Sequence, residues 1–170
     1  MISWFKNSDK IDNFFIKIEM SKTILLFIAL SLNGLVQAQE KKSYNFSVNH
    51  LALSVKDVDR SAEFYANVLN LTEITNRSKI PGIRWFVLGD GRELHLISVI
   101  KEPVTINKAL HMGFSTSAFD DFMKKLIALK IPYSDWPGKA NTINIREDGI
   151  KQIFFQDPDG YWLEVNNETR

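Results

Sequence analysis

Apolar and polar side chains alternate along residues 46–55, which is the period of a β-strand with one buried face. The large apolar residues of this stretch share one face, and His50 lies on the opposite face together with small residues. After Asp57, which is a suitable N-cap, the period changes to that of a helix, and this helix is predicted to run to about Leu69. Three shorter strand patterns follow, at residues 71–75, 84–88 and 93–99. The first half therefore predicts the order β-α-β-β-β.

The second half of the chain repeats this order of elements. Residues 109–116 alternate, with His111 on the face that carries small residues. Ser117 is expected to cap a second helix, and Asp120 would complete a short capping box. A short strand within 131–135, a polar loop at 136–149 and strands at 150–156 and 161–166 complete the pattern. The sequence thus predicts an α+β fold built from two βαβββ modules, at residues 46–100 and 108–168.

Two related turns support the repeat. Residues 157–160 read Asp-Pro-Asp-Gly, in which proline presets φ and glycine supplies the positive φ of a tight reversal. A shift of 69 positions places Gly160 on Gly91 and Glu164 on His95. A shift of 61 positions places His111 on His50. All three histidines of the chain therefore occupy key positions of the repeat.

These positions predict a metal site. A sheet face that carries a histidine among small residues leaves a cavity, and His95 and Glu164 have the same phase in their hairpin strands. Modules placed face to face would bring His50, His95, His111 and Glu164 around one concavity. Imidazole nitrogen and carboxylate oxygen suit zinc, nickel, iron(II), manganese or cobalt. The alternative is that each histidine is an ordinary hydrogen-bonded residue and that Glu164 is salt-bridged to a nearby basic side chain. For His95, a further alternative is that it contacts a metal ligand or the substrate and does not bind the metal itself.

The N-terminal residues indicate export. Lys22 precedes an apolar run of 14 residues, 23–36, which is too short to span a bilayer but suits the core of a signal peptide. Small residues before Gln39 offer a cleavage site, so residues 1–38 are predicted to be a leader with a signal peptide at about 20–38. A membrane anchor or a buried helix is the alternative, and residues 1–19 are assigned no function. Residues 39–45 are then a flexible linker, and the mature protein is expected in the periplasm or outside the cell, free of the membrane.

Composition narrows the classes of partner and of chemistry. Removing residues 1–38 takes away four of the 21 basic and three of the 20 acidic residues, which leaves 17 of each. A neutral chain without a basic run argues against a nucleic-acid partner. The chain has no cysteine, which excludes thiol nucleophiles, cysteine-ligated zinc and disulfides.

The paired modules, their leading-strand histidines and the Asp-Pro-Asp-Gly turn followed by Glu164 resemble the vicinal oxygen chelate superfamily. This superfamily includes glyoxalase I, fosfomycin-resistance thiol transferases, extradiol dioxygenases and bleomycin-resistance proteins. The resemblance covers residues 47–166 and implies an open, cup-shaped sheet, often completed by a homodimer. It implies that His50, His111 and Glu164 are metal ligands. It also places His95 where glyoxalase I has a glutamate or glutamine ligand.

The resemblance implies a divalent-metal enzyme that chelates neighbouring oxygens of a small substrate. Glyoxalase-like lyase or isomerase chemistry is predicted first, with Glu164 and His95 as the catalytic groups. An extradiol-type dioxygenase, a thiol transferase and a non-catalytic antibiotic-binding protein are the alternatives. Four further residues are candidates for substrate contact, against the ordinary roles of a surface arginine or a core tryptophan: Arg84, Trp85, Trp136 and Arg146.

Overall fold

The first module is a four-stranded sheet with one helix. The computed structural model describes residues 44–169. All helices and strands named below lie in one compact unit, which begins at Ser47. The strands pair in the order β1-β4-β3-β2, with β1 parallel to β4 and the other pairs antiparallel. In chain order the elements are β1 (His50–Ser54), α1 (Val58–Val68), β2 (Thr72–Ile74), β3 (Ile83–Val87) and β4 (Glu93–Ile97).

The second module repeats this topology. Its strands pair in the order β5-β9-β8-β6, again with the leading strand parallel to the last one. The elements are β5 (His111–Ser115), α2 (Phe119–Ala128), β6 (Tyr133–Ser134), β7 (Asn144–Ile145), β8 (Lys151–Gln156) and β9 (Trp162–Asn166). The prediction of an α+β fold with two βαβββ modules is confirmed.

The polar segment 136–149 contains β7, which the sequence did not predict. Asn144 and Ile145 extend the sheet by pairing with the start of β8. A tight turn makes this possible, because Gly149 has a φ of +84° and its N–H donates to Arg146 O at 2.9 Å. The turn reverses the chain and continues the ladder for two residues.

Of the two helix N-caps predicted from the sequence, the structure shows one. Asp57 accepts hydrogen bonds from the N–H groups of Asp59 and Arg60 at 2.9 and 3.1 Å, as predicted. The predicted Ser117 cap is wrong, because α2 begins after Ala118 and has no side-chain cap. Thr116 Oγ1 accepts the N–H of Ala118 at 3.1 Å, and the helix starts one residue later than predicted. Asp120, predicted to complete a capping box, pairs with Lys151 at 3.1 Å.

A single apolar core lies against the sheet faces opposite the predicted ligands. Both helices contact Phe155 of β8, through Phe64 of α1 and Phe122 of α2. The strand residues of the core have the phase opposite to the histidines and Glu164, and its fully buried members include Phe86, Leu94, Leu96, Ile153, Leu163 and Val165. The ligand-bearing face of each sheet therefore points away from the core.

The Asp-Pro-Asp-Gly turn connects the second hairpin to the first module. Tyr65 in α1 donates its hydroxyl to Asp157 at 2.9 Å, and both residues are buried. Ser61 donates to Asp159 at 2.7 Å, and Tyr161 donates to the backbone carbonyl of β1 at 3.0 Å. The sequence predicted this segment as a turn, and the structure shows that its carboxylates also join the two modules.

Candidate metal site

His111 and Glu164 form one pair on the outer face of the second sheet. The Nε2 atom of His111 lies 3.3 Å from Oε2 of Glu164, and both side chains are largely buried. The Nδ1 atom of His111 lies 3.0 Å from Lys108 O, so Nδ1 carries the proton and donates it there. The lone pair of Nε2 therefore faces a carboxylate oxygen. Two acceptors in this arrangement are complementary to a cation between them, either a proton or a metal ion.

His50 presents the same nitrogen in the first sheet. Its Nδ1 atom lies 2.9 Å from Asn49 Oδ1, which accepts the ring proton and leaves the lone pair on Nε2. A partner on the far nitrogen that fixes the tautomer is typical of metal-binding histidines. His50 and His111 therefore share the tautomer that binding through Nε2 requires.

His95 differs from these two histidines. Its Nε2 atom lies 2.9 Å from Glu93 Oε2, so the nitrogen that is available in His50 and His111 is already engaged. Its ring stacks on the rings of Trp85 and His50. The distance between ring centres is 4.1 Å for Trp85, with an angle of 6° between the ring planes, and 4.4 Å for His50, with an angle of 15°. Imidazole binds a metal in the plane of its ring, at about 2.1 Å. The nearly parallel rings of His50 and His95 therefore cannot both bind one ion without a rotation.

Glu93 is a site residue that the sequence analysis missed. Arg77 binds its two carboxylate oxygens at 2.7 and 2.9 Å, and the Arg77 guanidinium lies 4.5 Å from the Trp85 ring centre. The hydrogen bonds from His95 and then from Arg77 lower the pKa of Glu93 below its ordinary value. Glu93 lies two residues before His95 in the same strand, so both side chains occupy the same face of the sheet. This spacing is the sequence pattern that could have identified Glu93 as a site residue.

Lys108 is the second such residue. Its ammonium donates to Ser134 Oγ at 3.1 Å and to Trp136 O at 2.9 Å, while its own carbonyl accepts the Nδ1 proton of His111. Partial burial lowers its pKa. Three aromatic rings surround the ammonium at 4.6 to 5.6 Å, those of Phe154, Trp162 and Trp136. Lys108 thus supports the His111 side of the site through both its backbone and its side chain.

Of the four predicted substrate contacts, the two tryptophans lie beside candidate ligands. Trp85 stacks on His95, and Trp136 contacts His111 edge-on at 5.9 Å. Arg84 lies on the other face of β3, where it pairs with Glu73 and Asp59. Arg146 pairs with Asp148 and Glu168. Both arginines are therefore salt-bridged surface residues, which was the alternative interpretation of each.

The structure brings the four predicted ligands together as two pairs. His50 contacts His95 in the first sheet, and His111 contacts Glu164 in the second. Within residues 44–169, no group of three histidine or acidic side chains is close enough to hold an ion. A cavity of about 440 Å³ at the ends of α1 and β5 has none of the four in its lining. The candidate site is therefore formed by two open sheet faces.

Comparisons with protein families, curated proteins and solved structures all indicate the same family. Residues 47–165 match the model of the Glyoxalase/Bleomycin resistance protein/Dioxygenase superfamily. Glyoxylase I 4 of Arabidopsis thaliana is 29% identical over 129 residues, which cover 71% of this chain and 70% of that protein. Metallothiol transferase FosB of Lysinibacillus sphaericus is 27% identical over 135 residues, which cover 72% and 83%. A glyoxalase/dioxygenase structure from Nostoc punctiforme shares the fold, with a TM-score of 0.59 at 23% identity over 78% of this chain and 99% of that one.

Proposed function

The chain belongs to the glyoxalase/bleomycin resistance protein/dioxygenase superfamily, and we propose that it is a divalent-metal-dependent enzyme with glyoxalase-like lyase or isomerase activity. The observation that supports this proposal is which ring nitrogen of two histidines is hydrogen-bonded. His50 and His111 each donate to an oxygen acceptor through Nδ1, and Oε2 of Glu164 lies 3.3 Å from Nε2 of His111. Two imidazoles and one carboxylate are a donor set that suits zinc, nickel, iron(II), manganese or cobalt.

The proposed site is completed by two copies of the chain. Each ligand-bearing face points away from the common core, and within residues 44–169 no three of the candidate ligands lie close enough together to hold an ion. A two-fold dimer that places the first sheet of one copy against the second sheet of the other would unite His50 with His111 and Glu164. The symmetry operation would form two equivalent sites. This arrangement would also cover His50 and Ala52, which are exposed in the single chain.

The metal would act as a Lewis acid on neighbouring oxygens of a small substrate. The protein would supply the walls of the site and the proton transfers. Trp85, which stacks on His95, and Trp136, which contacts His111, would exclude water from the bound substrate. His95 donates its Nε2 proton to Glu93 and so keeps a lone pair on Nδ1, which can take a proton from a carbon beside a carbonyl. Glu164, at Oε2, is the second group proposed to accept or return that proton.

A thiol transferase is the second candidate function. The curated relatives that favour it are the FosB metallothiol transferases, at 26 to 29% identity and with 78 to 83% of their length matched. A transferase would join a thiol to its acceptor, whereas an isomerase would rearrange a thiol adduct and release no new conjugate. The two functions are therefore distinguished by their products.

One experiment separates these functions. Protein freed of metal by chelation and reloaded with each of the five metals would be incubated with a 2-oxoaldehyde–thiol adduct, with a thiol and an epoxide antibiotic, or with a catechol. We expect metal-dependent rearrangement of the adduct, followed by chromatography and mass spectrometry. Conjugation of the epoxide would support the transferase instead, and ring cleavage of the catechol a dioxygenase. Metal-independent binding without turnover would overturn the proposal in favour of a binding protein.

A further inference from the structure

We propose that Lys108 is a positioning residue that couples segment 134–136, at the end of β6, to His111 through its positive charge. The ammonium holds Trp136 against the His111 ring, and the same residue presents the carbonyl that binds His111 Nδ1. The inference rests on the proposed function only in taking His111 as a residue of the site. Its contacts are all between protein groups, so it can be tested on the metal-free protein.

The Lys108 ammonium has no donor left for a substrate. An ammonium carries three N–H groups, and here they are directed to Ser134 Oγ at 3.1 Å, to Trp136 O at 2.9 Å and to Asp135 O. To react as a nucleophile, the amine would have to lose its proton and these contacts. Lys108 therefore acts on the site through the groups that it holds.

The surroundings of the ammonium favour a cation over a neutral group. Two main-chain carbonyls and one hydroxyl oxygen accept its protons, and the centres of three aromatic rings lie 4.6 to 5.6 Å from the nitrogen. Oxygen lone pairs and ring faces both carry partial negative charge. Without the charge, these oxygens would face apolar rings, which is unfavourable for partly buried polar groups. The positive charge is therefore what holds the segment in place.

The backbone and the side chain of Lys108 both lead to His111. The backbone carbonyl lies 3.0 Å from Nδ1 of His111, three residues further along the chain. The side chain binds the main chain of Trp136, whose ring contacts His111 edge-on with 5.9 Å between ring centres. Trp136 is 46% exposed, so burial does little to hold its ring. Because these contacts form a closed set, a shift of segment 134–136 would also move the carbonyl that binds Nδ1.

Other contacts shape the two segments separately. Segment 134–136 continues from β6, which pairs with β8 over two residues, and the carboxylate of Asp135 accepts the N–H groups of Gly138 and Lys139 at 2.9 and 2.6 Å. Before β5, the N–H of Leu110 donates to Asn107 O at 3.0 Å and forms a turn. These bonds give each segment its shape, whereas the Lys108 ammonium joins one segment to the other.

Removing the ammonium and then supplying it in solution tests the coupling. Full-chain protein freed of metal by chelation and labelled with ¹⁵N-histidine would be studied by NMR, with the exchange rate of His111 Nδ1–H with water as the readout. In Lys108→Ala we expect this exchange to be at least about fivefold faster, which is the factor for one lost hydrogen bond. Propylammonium, which matches the deleted atoms, should restore the wild-type rate, and propanol, its neutral counterpart, should not.

The position of Trp136 should change together with His111. In fluorotryptophan-labelled protein, the ¹⁹F signal of Trp136 should shift in Lys108→Ala and return when propylammonium restores the exchange rate. Lys125→Ala is the matched control, because the Lys125 ammonium binds one neutral oxygen, Asn70 Oδ1, at 2.7 Å. This control should keep the wild-type exchange rate with and without the amine.

Four results would overturn the inference. They are wild-type exchange in Lys108→Ala, no rescue by propylammonium, equal rescue by propanol, and a shifted Trp136 signal without faster exchange at His111. Lys108→Met serves if the alanine variant does not fold, since methionine keeps most of the apolar stem. It should show the fast exchange, and wild-type exchange there would also overturn the inference. A lack of metal binding or turnover would instead refute the proposed function and leave the coupling intact.

Discussion

Replacing Tyr65 with phenylalanine tests the link between the turn at Asp157 and the first module. Tyr65 is fully buried, and Asp157 is 6% exposed. The substitution keeps the packed ring but removes the hydroxyl that donates to Asp157 Oδ2 at 2.9 Å. The other oxygen retains the N–H groups of Asp159 and Tyr161 at 2.9 and 2.8 Å. A lost hydrogen bond to a buried charged group costs about 1.5–3 kcal/mol, so we expect the free energy of unfolding to fall by about 2 kcal/mol at pH 7.

The pH dependence of this loss identifies its cause. Burial raises the pKa of Asp157 above its ordinary value, while the hydrogen bond from Tyr65 acts to lower it. The stabilising contribution of a carboxyl group with a raised folded-state pKa is complete below the unfolded pKa of about 3.9 and is lost as the pH rises through the folded pKa. Removing the Tyr65 hydroxyl raises that pKa further. The destabilisation should therefore be largest at pH 7 and shrink as Asp157 becomes protonated.

Urea unfolding of metal-free protein at pH 7 and near pH 4 measures both quantities. Tyr161→Phe is the control, because its hydroxyl donates to the neutral carbonyl of Ser54 at 3.0 Å. This control should lose about 1 kcal/mol at both pH values. A Tyr65→Phe loss below about 0.5 kcal/mol, or one that is equal at the two pH values, would refute the assignment of Asp157 as a buried, ionised acceptor.

Three further outcomes are expected. Mixing His50→Ala protein with His111→Ala protein should restore about a quarter of the zinc sites, since each mixed dimer keeps one intact site; no recovery by elemental analysis would contradict a site shared between chains. Asp57→Ala should lower the free energy of unfolding by about 1 kcal/mol in urea denaturation while Ser117→Ala leaves it unchanged, and equal losses would contradict the observed caps. Mass spectrometry of protein from its native host should find an N-terminus near Gln39, and retained residues 23–38 would contradict the predicted cleavage.

Local periodicity explains what the sequence could predict. A two-residue period decides which strand face a side chain occupies, so the common phase of His95 and Glu164 follows from their neighbours alone. The distribution of these faces around the core depends on contacts between distant segments, such as those of Phe155 with both helices. Four candidate ligands could therefore be predicted from the sequence, but their separation into two pairs could not. It also could not show that Arg77, from a loop, binds Glu93, because such contacts depend on the final chain path.

The contacts of the Asp-Pro-Asp-Gly turn make the two repeats no longer interchangeable. Tyr65 and Ser61 of the first helix correspond, 61 positions later, to Leu126 and Phe122 of the second. A chain made of two second modules would therefore offer hydrocarbon side chains where Asp157 and Asp159 now find hydroxyl donors. Its buried carboxylate would lack the Tyr65 donor, at a cost of about 1–3 kcal/mol. Each half has become specialised as the partner of the other, and a duplicated half cannot replace it.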